Sequence, residues 1–233
     1  MRAMILSAGL GTRLKELTQT MPKALVPVKG KPIIDYVIKN LLKAGVDSFV
    51  INTHHFSEQI KDFIKVQNYP ATFFFTYEPS LLDSGGAIKN AREFLTDQKN
   101  FILTNCDIYS DFNVEKLIHS HKKKDLATIL TSKATSPRVL LFNEENNLTG
   151  WKTKDFTRIA GKYQSLSEYD YRCFNIIEPK IFEYFDRLSD KFSIFDAFLL
   201  ARENNETLTN YDIGNAKWID IGTIQDLNKA NNE

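Results

Sequence analysis

Over its first 130 residues the chain alternates short apolar runs with amphipathic stretches, and that alternation restricts the fold more than any other feature. Residues 3–7, Phe49-Val50-Ile51-Asn52, Thr72–Tyr77, Phe101-Ile102-Leu103-Thr104 and residues 126–131 read as strands. Residues 32–44, 57–66, 86–95 and 113–123 read as helices between them. In the first helix Ile34, Val37, Ile38, Leu41 and Leu42 share one face, Pro32 suits the opening turn and Gly45 the C-cap. Ser57 is placed to cap the second. Short strands separated by helices imply βαβ units, and so a mostly parallel sheet covered by helices. Ligands of such sheets bind at the carboxyl ends of the strands.

After about residue 135 the pattern changes. Arg138–Phe142 and Leu148–Trp151 read as a hairpin around Asn146-Asn147. Residues 152–170 are polar and irregular, the expectation for a mobile loop. Cys173–Ile177 reads as a strand, and Pro179 opens a helix running to about Leu188. A helix over 193–204 is capped by Ser193. Thr207–Asp212 and Lys217–Ile219 are short strands, and Thr223 with Asp226 makes a capping-box-like start to a last helix. No linker or repeat interrupts the chain, so a single α/β domain over 1–233 is expected, with a mixed, mostly parallel central sheet flanked by helices.

The chemistry concentrates behind the first strand. Ala8-Gly9-Leu10-Gly11-Thr12-Arg13 follows Met4-Ile5-Leu6, and Lys23 comes ten residues after Arg13. A glycine turn leaving a strand frees backbone N–H groups to face a phosphate. Arg13 adds a forked cation and Lys23 a point charge. The spacing fits neither G-x-x-x-x-G-K-[ST] nor G-x-G-x-x-G, since Leu14 stands where the third glycine would fall. Gly-x-Gly alone marks only a turn, so the reading depends on partners elsewhere. Asp107 ends one apolar strand and Asp220 another, positions from which a carboxylate can point at the sheet edge. Asp111 reads as turn chemistry before the helix at 113.

Composition excludes several classes. The 233 residues carry a net charge of +1, which argues against nucleic acid as the main partner. Lys122-Lys123-Lys124 reads as a solvated helix end. No stretch reaches the ~20 apolar residues that span a bilayer, and no signal peptide is legible, so a cytoplasmic location is expected. Cys106 and Cys173 stand alone, which suggests neither a zinc site nor a disulfide framework.

Taken in order, Ala8–Arg13, Pro22-Lys23, Gly85-Gly86-Ala87, Asp107 and Trp218-Ile219-Asp220-Ile221-Gly222-Thr223 resemble the sugar-1-phosphate nucleotidyltransferase family almost end to end. The similarity is strongest to its compact single-domain uridylyl- and guanylyltransferases. The resemblance implies the Rossmann-like nucleotide-diphospho-sugar transferase fold, with residues 1–130 as the nucleotide-binding half and 131–233 as the sugar-phosphate-binding half. It implies transfer of a nucleotidyl group from an NTP to a sugar 1-phosphate, with Mg²⁺, in nucleotide-sugar supply for cell wall or polysaccharide. Asp107 and Asp220 would hold the metal. Ala8, Gly9, Gly11, Thr12, Arg13 and Lys23 would bind the phosphates, with Arg13 and Lys23 also catalytic. Glu78, Ser84, Gly85 and Gly86 would read the base. Lys152, Asn175 and Asp196 would face the sugar phosphate, Lys152 sharing that candidacy with Lys154. The Glu-Lys-Pro of many relatives is absent, and no Gln occurs in 78–87, so the base stays open. UTP with N-acetylmuramate 1-phosphate is the favoured pair, with GTP and mannose 1-phosphate next and phosphocholine cytidylyl transfer more distant. A catalytically inactive nucleotide-sensing subunit, or a glycosyltransferase using a ready-made nucleotide sugar, are the readings from other classes. A monomer or homodimer is expected.

Overall fold

The computed structural model describes all 233 residues, Met1–Glu233, which fall into two compact units woven from separate stretches of chain. The first unit comprises Met1–Leu81, Thr104–Val114 and Asn215–Glu233. Its sheet contains three parallel strands, Arg2–Leu6, Ser48–Thr53 and Thr72–Tyr77, with Arg2 opposite Ser48 and Ser48 opposite Thr72. The helices Ile33–Lys43 and Ser57–Gln67 are the crossovers, as βαβ connection requires. Ala3, Met4 and Ile5 are buried together with Phe49, Val50 and Ile51, the continuous apolar run of a strand covered on both faces. Gly45 follows the first helix at φ +81°, as expected of a C-cap residue. Ser57 is not the cap of the second. Phe56 holds that position in the left-handed region, and the Ser57 hydroxyl bonds to Thr53 Oγ1 at 2.9 Å instead.

A separate antiparallel pair, Ile108–Ser110 with Trp218–Asp220, sets Asp220 opposite Ile108. A local core of Leu14, Val26, Val28, Ile33, Ile219, Ile221 and Leu227 seats the chain after the glycine turn against the C-terminal segment. The last helix, Ile224–Asn232, is capped by Thr223, whose hydroxyl accepts from Asp226 N at 3.2 Å.

The second unit comprises Leu82–Leu103 and Glu115–Gly214. Its longest strand, Ser167–Ile177, pairs antiparallel with Asp125–Lys133 and with Val139–Phe142. Val139–Phe142 and Leu148–Lys152 form the expected hairpin, with Asn146 at φ +61° in its turn. Thr207–Asp212 runs parallel to Asp125–Lys133. Asp125–Lys133 is buried along nearly its whole length, packed from both faces.

Four boundaries differ from expectation. The helix over 86–95 begins at Asp83 and divides into Asp83–Asn90 and Arg92–Leu95 around a non-helical Ala91. The helix over 113–123 ends at Ser120, so the three lysines follow it rather than close it. Pro179 opens a short 3₁₀ turn and then the one-turn helix Phe182–Phe185. Residues 152–170 are not one irregular loop: Thr157–Ile159 pairs with Gly150–Lys152, and Ser167 already belongs to the long strand. The polar side chains there are exposed, and ladder hydrogen bonds rather than apolar burial hold the strand.

Candidate functional site

The glycine turn is shaped by Gly11. Its φ of +65° lies in the left-handed region, and a Cβ there would come within 2.9 Å of Thr18 Cγ2 and 3.1 Å of Lys23 Cβ. Gly11 O accepts from Leu14 N at 2.8 Å and from Thr18 Oγ1 at 3.0 Å. Buried Leu14 anchors this turn, while Gly9, Thr12 and Arg13 stay open to solvent. Ala8 is buried beside them.

Lys23 follows extended Pro22 and opens a 3₁₀ turn. Its ammonium contacts Asp107 Oδ2 and lies 3.8 Å from Asp220 Oδ1. The Lys23 and Asp107 side chains are only 13% and 6% exposed, whereas that of Asp220 is 45% exposed. Backbone pairing aligns the carboxylates, since Ile221 N donates to Asp107 O at 3.0 Å beside the Asp220–Ile108 pair. Gly222 completes the group. A Cβ on it would lie 2.6 Å from Arg13 Nη2 and 3.1 Å from Asp220 Oδ1, so the guanidinium lies over a position without a side chain.

These residues fit a divalent cation. Asp107 Oδ1 is buried and lacks a hydrogen-bond partner, an arrangement that leaves acceptor capacity beside Asp220. No group of three or more His, Cys, Asp or Glu side chains is arranged to hold a metal ion. The two carboxylates Asp107 and Asp220 suit Mg²⁺, which takes one or two carboxylates and fills its shell with phosphate oxygens and water. Cys106 next to Asp107 is a buried thiol whose pKa is pushed up by burial against the opposing pull of the Lys23 ammonium. It is therefore a neutral side chain and not a nucleophile.

A buried bridge absent from the sequence reading supports the loop. Asn52 Oδ1 accepts from Ser7 N at 2.7 Å, and Asn52 Nδ2 donates to Glu78 Oε1 at 2.6 Å. Asn52 is 2% exposed and Glu78 1%. The available signal was a polar residue closing the apolar run Phe49-Val50-Ile51, where a fourth apolar residue would otherwise sit. Asp111 acts as the turn anchor expected of it, accepting from Lys217 N at 2.7 Å.

The remaining candidates lie in the second unit. Ser84, Gly85 and Gly86 form the first turn of the Asp83–Asn90 helix. Gly85 N donates to Phe192 O at 2.9 Å, and Ser84 Oγ accepts from Ile194 N at 3.0 Å. A Cβ on Gly86 would come within 2.2 Å of Asp190 O, so both glycines serve a close backbone packing. Lys152 is ion-paired to Glu168, and Lys154 is exposed. Asn175 is fully buried, donating to Tyr171 Oη at 2.6 Å with its own Oδ1 unpartnered. Asp196 accepts from Ser193 N at 3.1 Å in a capping box and from Arg158 at 2.8 Å.

The nucleotidyl transferase family model matches residues 2–140. The chain belongs to the nucleotidyl transferase family. It is 25% identical to a UTP–glucose-1-phosphate uridylyltransferase of Synechocystis sp., over 99% of this chain and 62% of that protein. It is 28% identical to a D-glycero-alpha-D-manno-heptose 1-phosphate guanylyltransferase of Aneurinibacillus thermoaerophilus, over 100% of this chain and 98% of that one. The crystal structure of HddC from Yersinia pseudotuberculosis complexed with GMP-PN superposes at TM-score 0.77 and 26% identity, over 99% of this chain and 98% of that chain. The α/β fold expected from the alternation of strands and helices, and the nucleotidyltransferase form of it implied by the resemblance, are thereby borne out. The chain thus spans less than two thirds of the length of the Synechocystis relative but nearly all of the guanylyltransferase. No helix is long and apolar enough to cross a membrane.

Proposed function

We propose that this member of the family transfers a nucleotidyl group from an NTP to a sugar 1-phosphate. The observation that carries the reading is the Lys23 ammonium set against Asp107 and Asp220, with Arg13 over Gly222. An oxygen of the sugar phosphate attacks the α-phosphorus, a new P–O bond forms, the bond to the bridging α–β oxygen breaks, and pyrophosphate leaves. The acceptor is already ionised, so no general base is required. Both reactants are anions, and the protein's task is to neutralise charge and fix an in-line geometry. Lys23 offsets charge at the reacting phosphate, and Arg13 holds the phosphates that depart. Gly9, Gly11 and Thr12 offer a turn open to solvent for the polyphosphate. Asp107 and Asp220 would hold Mg²⁺, which when bound supplies further positive charge to phosphate oxygens. Glu78 and the Ser84-Gly85-Gly86 turn are assigned to the nucleobase, and Lys152, Asn175 and Asp196 to the sugar phosphate. The division into a nucleotide half and a sugar-phosphate half goes with that assignment.

For the substrates, we take GTP and a manno-configured sugar 1-phosphate ahead of UTP and N-acetylmuramate 1-phosphate; the support is one 28% identical heptose 1-phosphate guanylyltransferase and one 26% identical structure holding GMP-PN, each covered over 98% of its length. The test is pyrophosphate release from four NTPs against a panel of sugar 1-phosphates, with Mg²⁺ and with EDTA. Release with GTP and a mannose- or heptose-type acceptor, abolished by EDTA and by Asp107→Ala, is the expected result. Release only with UTP and an amino sugar would overturn the choice of substrates and keep the reaction. Silence across the grid with NTP binding intact would overturn the reaction in favour of a nucleotide-sensing subunit.

A further inference from the structure

The second unit contains a cavity of about 280 Å³ that shares no residue with the group around Lys23. It lies between the turn after the Val114–Ser120 helix, the hairpin turn at 145–147 and the Thr207–Asp212 strand. Every side chain lining it is polar. We propose that this cavity is a second binding site, for a small phosphorylated sugar or polyol.

The lining selects that chemistry. Lys122 and Lys124, both exposed, line the cavity, and Glu145 from the hairpin turn is the only carboxylate in its lining. Two cations against one anion favour a ligand with a compact negative group such as a phosphoryl. The floor is a pair of threonine hydroxyls, Thr128 and Thr209, 3.4 Å apart. Both are fixed from beneath: Thr209 Oγ1 donates to Asp125 Oδ2 at 3.0 Å, and Thr128 Oγ1 bonds His121 Nδ1 at 2.9 Å. His121 is held neutral by burial, which lowers its pKa against the opposing carboxylates of Glu178 and Asp125, so it adds no charge to the floor. Asn147, 8% exposed on the cavity wall, has a side-chain oxygen without a hydrogen-bond partner. An unpartnered carboxamide oxygen and the Glu145 carboxylate call for donors, which ligand hydroxyls supply. No aromatic or aliphatic side chain offers a face to a nucleobase or an acyl chain, and the volume lies just under the usual ~300–1,000 Å³ of ligand pockets. A phosphate at one end and hydroxyls at the other satisfy both halves of the lining.

The test is isothermal titration of the full chain with glucose 6-phosphate, whose phosphate is not on the anomeric carbon, in the presence of saturating GTP and Mg²⁺. Inorganic phosphate and glucose are the control ligands. Saturable binding of glucose 6-phosphate is expected, weakened about tenfold or more in Lys122→Ala/Lys124→Ala, with the melting temperature unchanged. Inorganic phosphate should bind more weakly through the same lysines. Equal affinity for phosphate and glucose 6-phosphate would overturn the hydroxyl-binding half of the proposal. The whole proposal fails if no binding occurs up to about 10 mM, a weaker affinity than a functional small-ligand site shows. It also fails if the double variant binds as tightly as the parent. A second variant, Glu145→Gln, should retain phosphate affinity while lowering discrimination for glucose 6-phosphate, and unchanged discrimination would count against the assigned orientation.

Discussion

Replacing Gly222 by alanine should separate folding from phosphate binding. The new Cβ would lie 2.6 Å from Arg13 Nη2, 3.2 Å from Arg13 Cζ and 3.1 Å from Asp220 Oδ1. The closest of these atoms belong to the far end of a flexible, exposed side chain, and Gly222 has no left-handed φ for alanine to strain. The folded state therefore has an easy relaxation, in which the guanidinium swings away, and stability should change by no more than about 0.5 kcal/mol. Arg13 loses its position in doing so. A charge-assisted contact of arginine with phosphate contributes about 1.5–3 kcal/mol, so kcat/KM for pyrophosphate release should fall about 10- to 150-fold. NTP affinity should fall in parallel, because the contact is made with the substrate as well as with the transition state. The assays are pyrophosphate release, NTP titration and urea unfolding on the same preparations. If the effect passes through Arg13, Arg13→Ala/Gly222→Ala should be no worse than Arg13→Ala alone. Additive losses in the double variant, or unfolding of Gly222→Ala by more than about 1 kcal/mol, would refute the argument.

Two further outcomes follow from buried groups. Asn52→Ala should destabilise the chain by about 1–3 kcal/mol in urea unfolding, since it orphans the buried Ser7 N–H and removes one hydrogen bond from a Glu78 carboxylate that is 1% exposed; a loss under about 0.5 kcal/mol would show that the bridge is not what holds the loop. Asp170 is held below its usual pKa, because hydrogen bonds from Thr135 Oγ1 at 2.6 Å, Ser136 Oγ at 2.9 Å and their two backbone N–H groups outweigh the upward push of its burial. Its stabilisation is therefore complete above the unfolded-state value of about 3.9 and is lost as pH falls through the lower native value. The stability gap between the parent and Asp170→Asn should be constant near neutral pH and begin to shrink below about pH 4, and a gap that does not narrow at all between pH 5 and pH 2 would contradict that assignment.

What the sequence made legible follows the physics of burial. The parallel strands were readable because both of their faces are covered, so Ala3–Ile5 and Phe49–Ile51 had to be apolar throughout. The caps at Ser193 and Thr223 were readable because their chemistry is local to three residues. Thr157–Ile159 was not, because a strand at the margin of a sheet needs only a partner's backbone, and its side chains carry no signature of burial. The same contrast runs through the candidate site. Lys23, Asp107 and Asp220 stand at strand ends or after a glycine turn, where a charge signals itself, and the structure brings these three together. Asn52 also closes an apolar run, but an asparagine there is equally the mark of a turn. Only the fold puts Ser7 on one side of its carboxamide and Glu78 on the other, a pairing set by the register of three parallel strands. Gly222 carries no signal of its own in the sequence, since the lack of a side chain has meaning only once the neighbour that uses the space is known. Charged groups that meet a ligand can thus be read one at a time, whereas the residues that orient them are defined by pairs of contacts and emerge with the fold.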